Sequence, residues 1–286
     1  MAQLSIADAV LDCAEAGDGP QVLLIHGSAS DARTWDAQFD DLAQTARVIR
    51  YSRRFHWPNP PPAVDADYSM AQQVDDLGQV IEALQLRRPH LVGHSYGAYL
   101  ALMYALRRPD DVASLVLAEP PVIPLVTAFP PGPADVVKLL LTDPRTALPL
   151  IRFAATGLGP ATAAIRRGDR ERALAKFGSA VFGAPEFAAL SAERLEQARI
   201  NFHSAELLSE RAMLPIDAAA VERLECPVLL VTGAWSPKLF VRLVDRLAAL
   251  LPHADRVRIP RASHNMHERN PAAFNAAVSG FIARCA

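Results

Sequence analysis

The sequence predicts an α/β fold, with a mostly parallel central sheet flanked by helices and an inserted helical cap. Short, continuous apolar runs such as Gln21–Ile25 are typical of strands buried on both faces of a sheet. Segments with helical apolar spacing follow these runs, and such alternation favours parallel strands joined by right-handed crossovers. The alternation stops at 123–214, a stretch rich in Ala, Leu and Arg without a convincing strand. We therefore assign 1–122 and 215–286 to the core and 123–214 to the cap.

Composition narrows the class of protein. The chain has 286 residues, 51% hydrophobic, and a net charge of −2, so it forms a globular core and lacks the positive excess of a nucleic-acid-binding protein. The three scattered cysteines argue against a disulfide framework and favour a reducing, cytoplasmic location. No uninterrupted apolar run is long enough to cross a bilayer, and no signal peptide is evident, so we expect no membrane partner. Oligomeric state has no sequence signal.

The order of predicted elements is regular outside the cap. A hairpin at 4–15 precedes the strand Gln21–Ile25, and apolar residues at helical spacing mark the first and second crossover helices. Further strands and helices follow in alternation, listed by predicted range: strand 47–51, helix 70–84, strand 90–93, helix 96–106, strand 113–118, strand 228–232, helix 239–250, strand 256–259 and a last helix carrying Phe274, Val278, Phe281 and Ile282.

One motif lies between a predicted strand and a predicted helix: Gly93-His94-Ser95-Tyr96-Gly97, which is Gly-x-Ser-x-Gly. A turn tight enough to lift Ser95 clear of the sheet crowds the positions two before and two after it, and glycine relieves that crowding. The serine then stands at a helix N-terminus, which favours developing negative charge. By itself the pattern is also compatible with an ordinary glycine-rich turn.

The order of three signatures resembles the α/β-hydrolase superfamily: His26-Gly27, then the serine motif, then, after a helical insertion, Ser263-His264 before the last helix. The resemblance covers the whole chain except the cap. It implies the α/β-hydrolase fold and a catalytic triad in the order serine, acid, histidine. It therefore implies that Ser95 is the nucleophile and His264 the general base, without a cofactor or metal. By position, the backbone N–H groups of Ser28 and Tyr96 would form the oxyanion hole.

The acid departs from the commonest superfamily pattern, in which an aspartate follows the strand after the cap. Ser236 occupies that place, and the next carboxylate, Asp245, falls within a predicted helix. A second arrangement in the superfamily places a glutamate at the end of the strand before the cap, where this chain has Glu119. We predict that Glu119 orients His264. The alternative is a capping or salt-bridging glutamate at the cap hinge.

Substrate contacts are predicted from the loop after the second core strand and from residues beside the triad turns. In the loop, Arg53, His56 or Trp57 is predicted to line the pocket and bind a polar or anionic part of the substrate. A structural clamp of the sheet edge is the equally weighted alternative. Trp235 and Met266 are predicted to supply apolar pocket wall.

Other aromatic and histidine side chains are predicted to be structural. In the cap, Phe177, Phe182 and Phe202 are expected in the core. His26 and His94 are expected to support the active-site turns, and His267 to open the last helix.

The predicted function is a serine hydrolase that cleaves a small to medium carboxylic ester or lactone through an acyl-enzyme on Ser95. Its partner would be a small-molecule substrate. Two other classes stay open. The same triad could serve a carbon–carbon bond hydrolase or a lyase. Alternatively, the chain could be a non-catalytic ligand-binding homologue with a vestigial triad.

Overall fold

The computed structural model describes residues 2–63, 66–209 and 211–285. Its eight strands form one sheet in the order β1-β2-β4-β3-β5-β6-β7-β8. The β1–β2 and β2–β4 pairs are antiparallel and the other pairs are parallel, which confirms the predicted mostly parallel sheet. The strands are β1 Ala2–Ile6, β2 Ala9–Ala16, β3 Gln21–Ile25, β4 Arg47–Tyr51, β5 His90–His94, β6 Ser114–Ala118, β7 Val228–Gly233 and β8 Asp255–Ile259.

Helices cover both faces of the sheet and fill the segment between β6 and β7. The α-helices are α1 Asp36–Leu42, α2 Met70–Ala83, α3 Tyr96–Arg107, α4 Pro133–Thr142, α5 Pro144–Phe153, α6 Gly159–Arg166, α7 Arg170–Phe182, α8 Ala184–Ala188, α9 Ala192–Asn201, α10 Ser204–Leu208, α11 Ala218–Glu222, α12 Lys238–Leu250, α13 Met266–Arg269 and α14 Pro271–Cys285. A π-helical segment, Ala154–Leu158, joins α5 to α6.

The sheet separates two apolar cores. On one face α2, α3 and α12 pack against the sheet, with residues such as Leu77, Leu100 and Leu243 fully buried. On the other face α1 and α14 pack around Trp35 and Phe274, both fully buried. Burying each large apolar side chain stabilises the fold by roughly 1.5–3 kcal/mol, so the sheet is held from both sides and its strand ends form a rigid edge.

The cap follows β6 and consists of helices α4 to α10 within the part of 123–214 that the structure describes, where no strand occurs. It lies over the carboxyl ends of the parallel strands, the edge at which open α/β sheets place their ligands. Among the described residues one helical run, Pro144–Arg166, is long and apolar enough by length and composition alone to cross a membrane. Core helices of globular proteins pass the same test, and Arg145 and Arg152 interrupt this one.

The C-terminal part differs from the prediction in one respect. His267 does not open the last helix, because it lies in the separate short helix α13 and is buried against Trp35, with ring centroids 4.7 Å apart. Asn270 ends α13 at a φ of −140°, and Pro271 begins α14. Proline cannot continue a preceding helix, which explains the break.

Candidate active site

Ser95 lies at the turn between β5 and α3. Its backbone has a φ of 51° and a ψ of −120°, a conformation that costs a non-glycine residue on the order of 1–3 kcal/mol. A Cβ at Gly93 would lie 2.4 Å from Ala98 Cα, and one at Gly97 would lie 2.2 Å from the Ile25 carbonyl oxygen. The two glycines are therefore required for α3 to begin so close to β3, and the turn presents Ser95 above the sheet edge.

Glu119 follows β6, the strand next to β5. It is fully buried, and its backbone N–H donates to the Val231 carbonyl across 3.1 Å. Its Oε1 accepts a hydrogen bond from the Gly233 N–H at 2.9 Å, and its Oε2 lies 2.6 Å from Nδ1 of His264. The carboxylate is thus attached at two points, one on the sheet and one on the imidazole.

The contact with Glu119 fixes the tautomer of His264. A carboxylate oxygen accepts, so Nδ1 of His264 carries the proton and Nε2 keeps its lone pair. This Nε2 is buried and has no hydrogen-bond partner among the described residues. Ser95 and His264 line one small cavity of about 30 Å³, and the Phe240 ring packs on the imidazole with centroids 4.1 Å apart. An unpartnered ring nitrogen therefore shares a cavity with the half-buried Ser95.

The histidines beside His264 are neutral. His94 donates from Nε2 to the His264 carbonyl oxygen at 2.8 Å, and its ring also contacts His267. Burial, reinforced by the neighbouring histidines, lowers the pKa of His94 well below its usual value. Burial likewise lowers the pKa of His267 to about 4. Neither ring is therefore charged at neutral pH.

The acid position after β7 is occupied by a hydroxyl. Ser236 Oγ is buried without a partner in the part of the chain that the structure describes, and the Gly233 N–H beside it donates to Glu119 instead. Asp245 is on α12, where it pairs with Arg256 at 2.5 Å, away from His264. The structure thus brings Ser95, His264 and Glu119 together, and their catalytic roles stay predictions.

The loop after β3 is held from behind by Arg53 and His26. The Arg53 backbone N–H donates to His26 Nε2 at 2.9 Å, and His26 Nδ1 donates to the Gly27 carbonyl at 2.9 Å. Arg53 Nη2 donates to the same carbonyl at 3.1 Å, and its Nε to the His26 carbonyl at 3.2 Å. Burial and the Arg53 charge lower the pKa of His26 to about 3, so this histidine is neutral. Two donors therefore fix the direction of the Gly27 carbonyl.

This arrangement sets the direction of the Ser28 N–H. In a trans peptide the carbonyl and the following N–H point in opposite directions, so the Ser28 N–H faces away from Arg53. A Cβ at Gly27 would lie 3.0 Å from Ser95 Cβ, which places this peptide against the serine. Tyr96 is the first residue of α3, where a backbone N–H has no partner within the helix. Both predicted oxyanion donors thus lie next to Ser95.

The predicted substrate contacts in the 53–57 loop lie behind the cavity wall. Arg53 is 1% exposed, and its third donor, Nη1, binds Gln73 Oε1 at 3.0 Å. His56 is fully buried, with Nδ1 donating to the Ser30 carbonyl at 2.7 Å. Trp57 packs under the Arg33 guanidinium, 3.9 Å from its ring centroid. These contacts favour the structural-clamp alternative for the loop, because the polar side-chain atoms of Arg53 and His56 are already bonded to the protein and Trp57 packs against Arg33.

The other two predicted pocket residues also lie elsewhere. Trp235 is 54% exposed on the surface, and Met266 is fully buried in the core beneath α1 and α14. Neither lines the cavities described at Ser95. Trp235 and Met266 stand beside the predicted catalytic turns in the sequence, but this does not determine the direction of their side chains. Each turn reverses the chain within two or three residues.

The cavity in front of Ser95 has a volume of about 100 Å³ and is mostly apolar. Both the core and the cap line it. The residues are Ser28, Ser95, Tyr96, Pro121, Ile123, Phe129, Phe153, Leu158, Phe177, Val181, Glu206, Leu207, Ala212, Met213, Leu239, Phe240 and Leu243. Phe177, expected to be core, therefore faces the cavity. The sequence offered no signal for this, since helical spacing alone does not separate core from pocket wall.

Glu206 is the charged residue that lines this cavity, and sequence reasoning missed it. It is 8% exposed, and its Oε1 accepts a hydrogen bond from Ser28 Oγ. Its Oε2 lies 3.2 Å from the Tyr68 hydroxyl, and Arg53 Nη2 lies 3.8 Å from Oε1. The carboxylate of Glu206 in the cap thus contacts both Ser28 and Arg53 of the core. No motif surrounds Glu206, so only the folded cap reveals its position.

No group of three or more His, Cys, Asp or Glu side chains arranged to hold a metal ion occurs within 2–63, 66–209 and 211–285.

Comparison with known proteins extends over nearly the whole chain. The sequence pattern of the "Alpha/beta hydrolase family" matches residues 22–277. A Bacillus subtilis protein provisionally named 2-succinyl-6-hydroxy-2,4-cyclohexadiene-1-carboxylate synthase is 26% identical over 94% of each chain. A Caulobacter protein provisionally named carbamate hydrolase RutD is 27% identical over 93% of this chain and 92% of its own.

The fold has solved counterparts. A thermophilic esterase from Thermogutta terrifontis superposes with a TM-score of 0.75 over 99% of this chain and 98% of its own, at 22% identity. That identity supports the fold alone. The family pattern, however, covers well over half of the chain, and the fold agrees with it. The chain is therefore an enzyme of the alpha/beta hydrolase family.

Proposed function

We propose that this chain is a serine hydrolase that cleaves a neutral carboxylic ester or lactone of small to medium size. The observation that carries the proposal is the unpartnered, buried Nε2 of His264, held in tautomer by Glu119 and sharing a cavity with the strained Ser95. A serine hydroxyl is a poor nucleophile unless such a base contacts it.

The mechanism follows from these positions. Ser95 Oγ attacks the substrate carbonyl carbon while His264 Nε2 takes the hydroxyl proton. The tetrahedral oxygen receives hydrogen bonds from the Ser28 and Tyr96 N–H groups, and the imidazolium is stabilised by Glu119. His264 then gives the proton to the leaving alkoxide, which departs and leaves an acyl-enzyme. Water, deprotonated by His264, attacks the acyl carbon, and Ser95 leaves with the returned proton.

Cavity size and charge support the substrate class. A cavity of about 100 Å³ has the volume of roughly three water molecules, which suits a short acyl group. Its lining is apolar except at the Ser95 end. Arg53 is bound to protein oxygens and faced by Glu206, so no free cation awaits a substrate carboxylate in the described lining of this cavity. A neutral acyl group fits better than an anionic one.

The three cysteines are free, as a reducing compartment such as the cytoplasm would keep them.

The experiment is a panel of p-nitrophenyl esters of increasing acyl length, with the Ser95→Ala variant as the control for background hydrolysis. We expect turnover to be highest for short acyl groups and to fall by about 10⁴-fold or more in Ser95→Ala. Equal rates for the wild-type protein and Ser95→Ala on every ester would contradict the proposal.

A second candidate is carbon–carbon bond cleavage or a lyase step with the same triad. The observation that favours it is the full-length similarity to a relative named as a synthase. The product in that name carries a carboxylate, whereas the cavity described here offers Glu206. Elimination or retro-addition activity without ester turnover would favour the second candidate.

A further inference from the structure

The outward side of helices α4 and α5 carries large apolar side chains that the fold does not cover. Val137 is 55% exposed, Leu141 81% and Leu148 62%. Val137 and Leu141 lie one turn apart on the solvent side of α4, and Leu148 lies on the solvent side of α5, while Leu139 and Leu150 face inward. We define the cap face as Pro133, Ala134, Val137, Leu141, Pro144 and Leu148. Exposed apolar groups clustered in this way mark an interaction surface.

The charges around the cap face have one sign. Every exposed charged residue in 133–153 is basic: Lys138, Arg145 and Arg152. None of them forms an ion pair with a described residue. The two acids of the segment, Asp135 and Asp143, are half-buried and accept hydrogen bonds from the backbone N–H groups of Gly132 and Thr146. The segment therefore presents net positive charge on a chain whose net charge is −2.

The helical run behind this face is apolar but poorly buried. Pro144–Arg166 extends for 23 residues, and 22% of its most apolar 18-residue stretch is buried. Thr146, Ala147 and Leu150 pack into the protein, so one side of the helix is committed to the cap. A helix with one side packed and basic residues beside the other suits the plane of a membrane surface and not a transmembrane orientation.

We propose that the cap face binds the surface of a membrane that contains anionic lipids. Apolar side chains would enter the headgroup boundary while the arginines and the lysine contact lipid phosphates. A second copy of this chain is the less suitable occupant, since a two-fold interface joins the same patch to itself and would oppose three basic residues to three. The proposal departs from the expectation, drawn from the sequence, that the protein has no membrane partner.

The cap face is close to the active site. Phe153 ends α5 and Leu158 follows it in the π-helical segment, and both line the cavity in front of Ser95. Docking through α5 would bring the cavity wall near the lipid surface, from which an apolar substrate can partition. The binding itself does not depend on the proposed hydrolase activity.

The test is vesicle flotation of the full chain with phosphatidylcholine alone and with phosphatidylcholine mixed with phosphatidylglycerol. We expect binding to the mixed vesicles only, and weaker binding as salt is raised. Leu141→Glu/Leu148→Glu should reduce binding at least tenfold. The matched control Val10→Glu/Ile200→Glu, two exposed apolar residues outside the cap face, should bind like the wild-type protein. Arg145→Gln/Arg152→Gln should weaken binding roughly fivefold per arginine.

Circular dichroism of each variant is the check that it is folded. The proposal is overturned if the wild-type protein does not float with the mixed vesicles, or if Leu141→Glu/Leu148→Glu still floats. It is also overturned if light scattering shows a dimer that this same variant dissociates, which would assign the cap face to a second copy.

Discussion

The two walls of the active-site cavity are built on different principles. The core wall carries Ser95, Glu119 and the Ser28 loop on short turns that follow neighbouring parallel strands, and backbone hydrogen bonds connect them. For example, the Ser95 N–H donates to the Ala118 carbonyl at 2.8 Å. The cap wall is made mostly of apolar side chains, and Glu206 is the one charged residue among the described residues that line the cavity in front of Ser95. Strand register therefore determines where the predicted catalytic groups lie. The packing of the cap helices determines the shape of the cavity that a substrate enters.

Replacing the acid on the core wall should have the largest effect. Glu119→Gln keeps the shape but no longer holds the His264 proton on Nδ1, and loss of the correct tautomer costs about 10⁴-fold in kcat in a related triad. Steady-state ester hydrolysis measures this loss. Asp245→Asn, a change to the next carboxylate after β7, is the control and should leave kcat unchanged. Wild-type turnover by Glu119→Gln would remove Glu119 from the triad.

Arg53 donates to the carbonyl next to the predicted oxyanion donor, the Ser28 N–H, so its replacement should have a smaller effect. Arg53→Met removes one of the two donors to the Gly27 carbonyl and lets the Ser28 N–H turn. We expect kcat to fall by about 10- to 100-fold with little change in KM, up to the value of one oxyanion donor. Arg53→Lys should recover part of the loss.

The matched control is Arg54→Met, since Arg54 is a buried arginine of the same loop that pairs with Asp76 at 2.6 Å and makes no bond to residues 26–28. It should lower the melting temperature while the folded fraction keeps its kcat. If both arginine variants lose kcat equally, Arg53 has no specific positioning role.

On the cap wall, Glu206→Gln should change substrate choice more than rate. The substitution leaves Arg53 without its carboxylate neighbour, so an anionic acyl group meets less repulsion. We expect a few-fold loss of kcat on neutral esters and a gain in kcat/KM for p-nitrophenyl hemiesters of dicarboxylic acids. An unchanged ratio of kcat/KM between the two substrate classes would exclude Glu206 from substrate selection.

Acid pH should weaken the fold through the buried histidines of the core. The folded-state pKa values of His26 and His267 are lowered to about 3 and about 4, so both are neutral in the fold near neutral pH. The unfolded chain takes up their protons below about 6.5 while the fold does not. The contribution of these two histidines to the free energy of unfolding is therefore fully present above that pH. It is lost as the pH falls from 6.5 to 4, by on the order of 3 kcal/mol for His267.

Melting temperatures across that range measure the effect. His267→Gln should flatten the pH dependence, and the same change at the exposed His253 should leave it as it is. An equally steep profile in His267→Gln would show that other groups control acid stability.

The sequence predicts the residues of the core wall much better than those of the cap wall. Strand and helix periodicity predicted the sheet, and the glycines around Ser95 are imposed by local sterics, so both are readable from adjacent residues. Glu119 was accessible because it directly follows a predicted strand. Glu206 and Phe177 were not, because their direction depends on how seven cap helices pack. The sequence predicts a substrate contact or a clamp for the loop of Arg53, but the partners of Arg53, the carbonyls of His26 and Gly27, are visible only in the folded loop.

The central claim is that Ser95 is a nucleophile activated by His264. The most direct measurement is intact-protein and peptide mass spectrometry after treatment with a serine-directed fluorophosphonate. We predict one adduct per chain, located on Ser95, absent from Ser95→Ala and formed far more slowly by His264→Gln. A folded wild-type protein that stays unlabelled, or that is labelled at another residue, would contradict the claim.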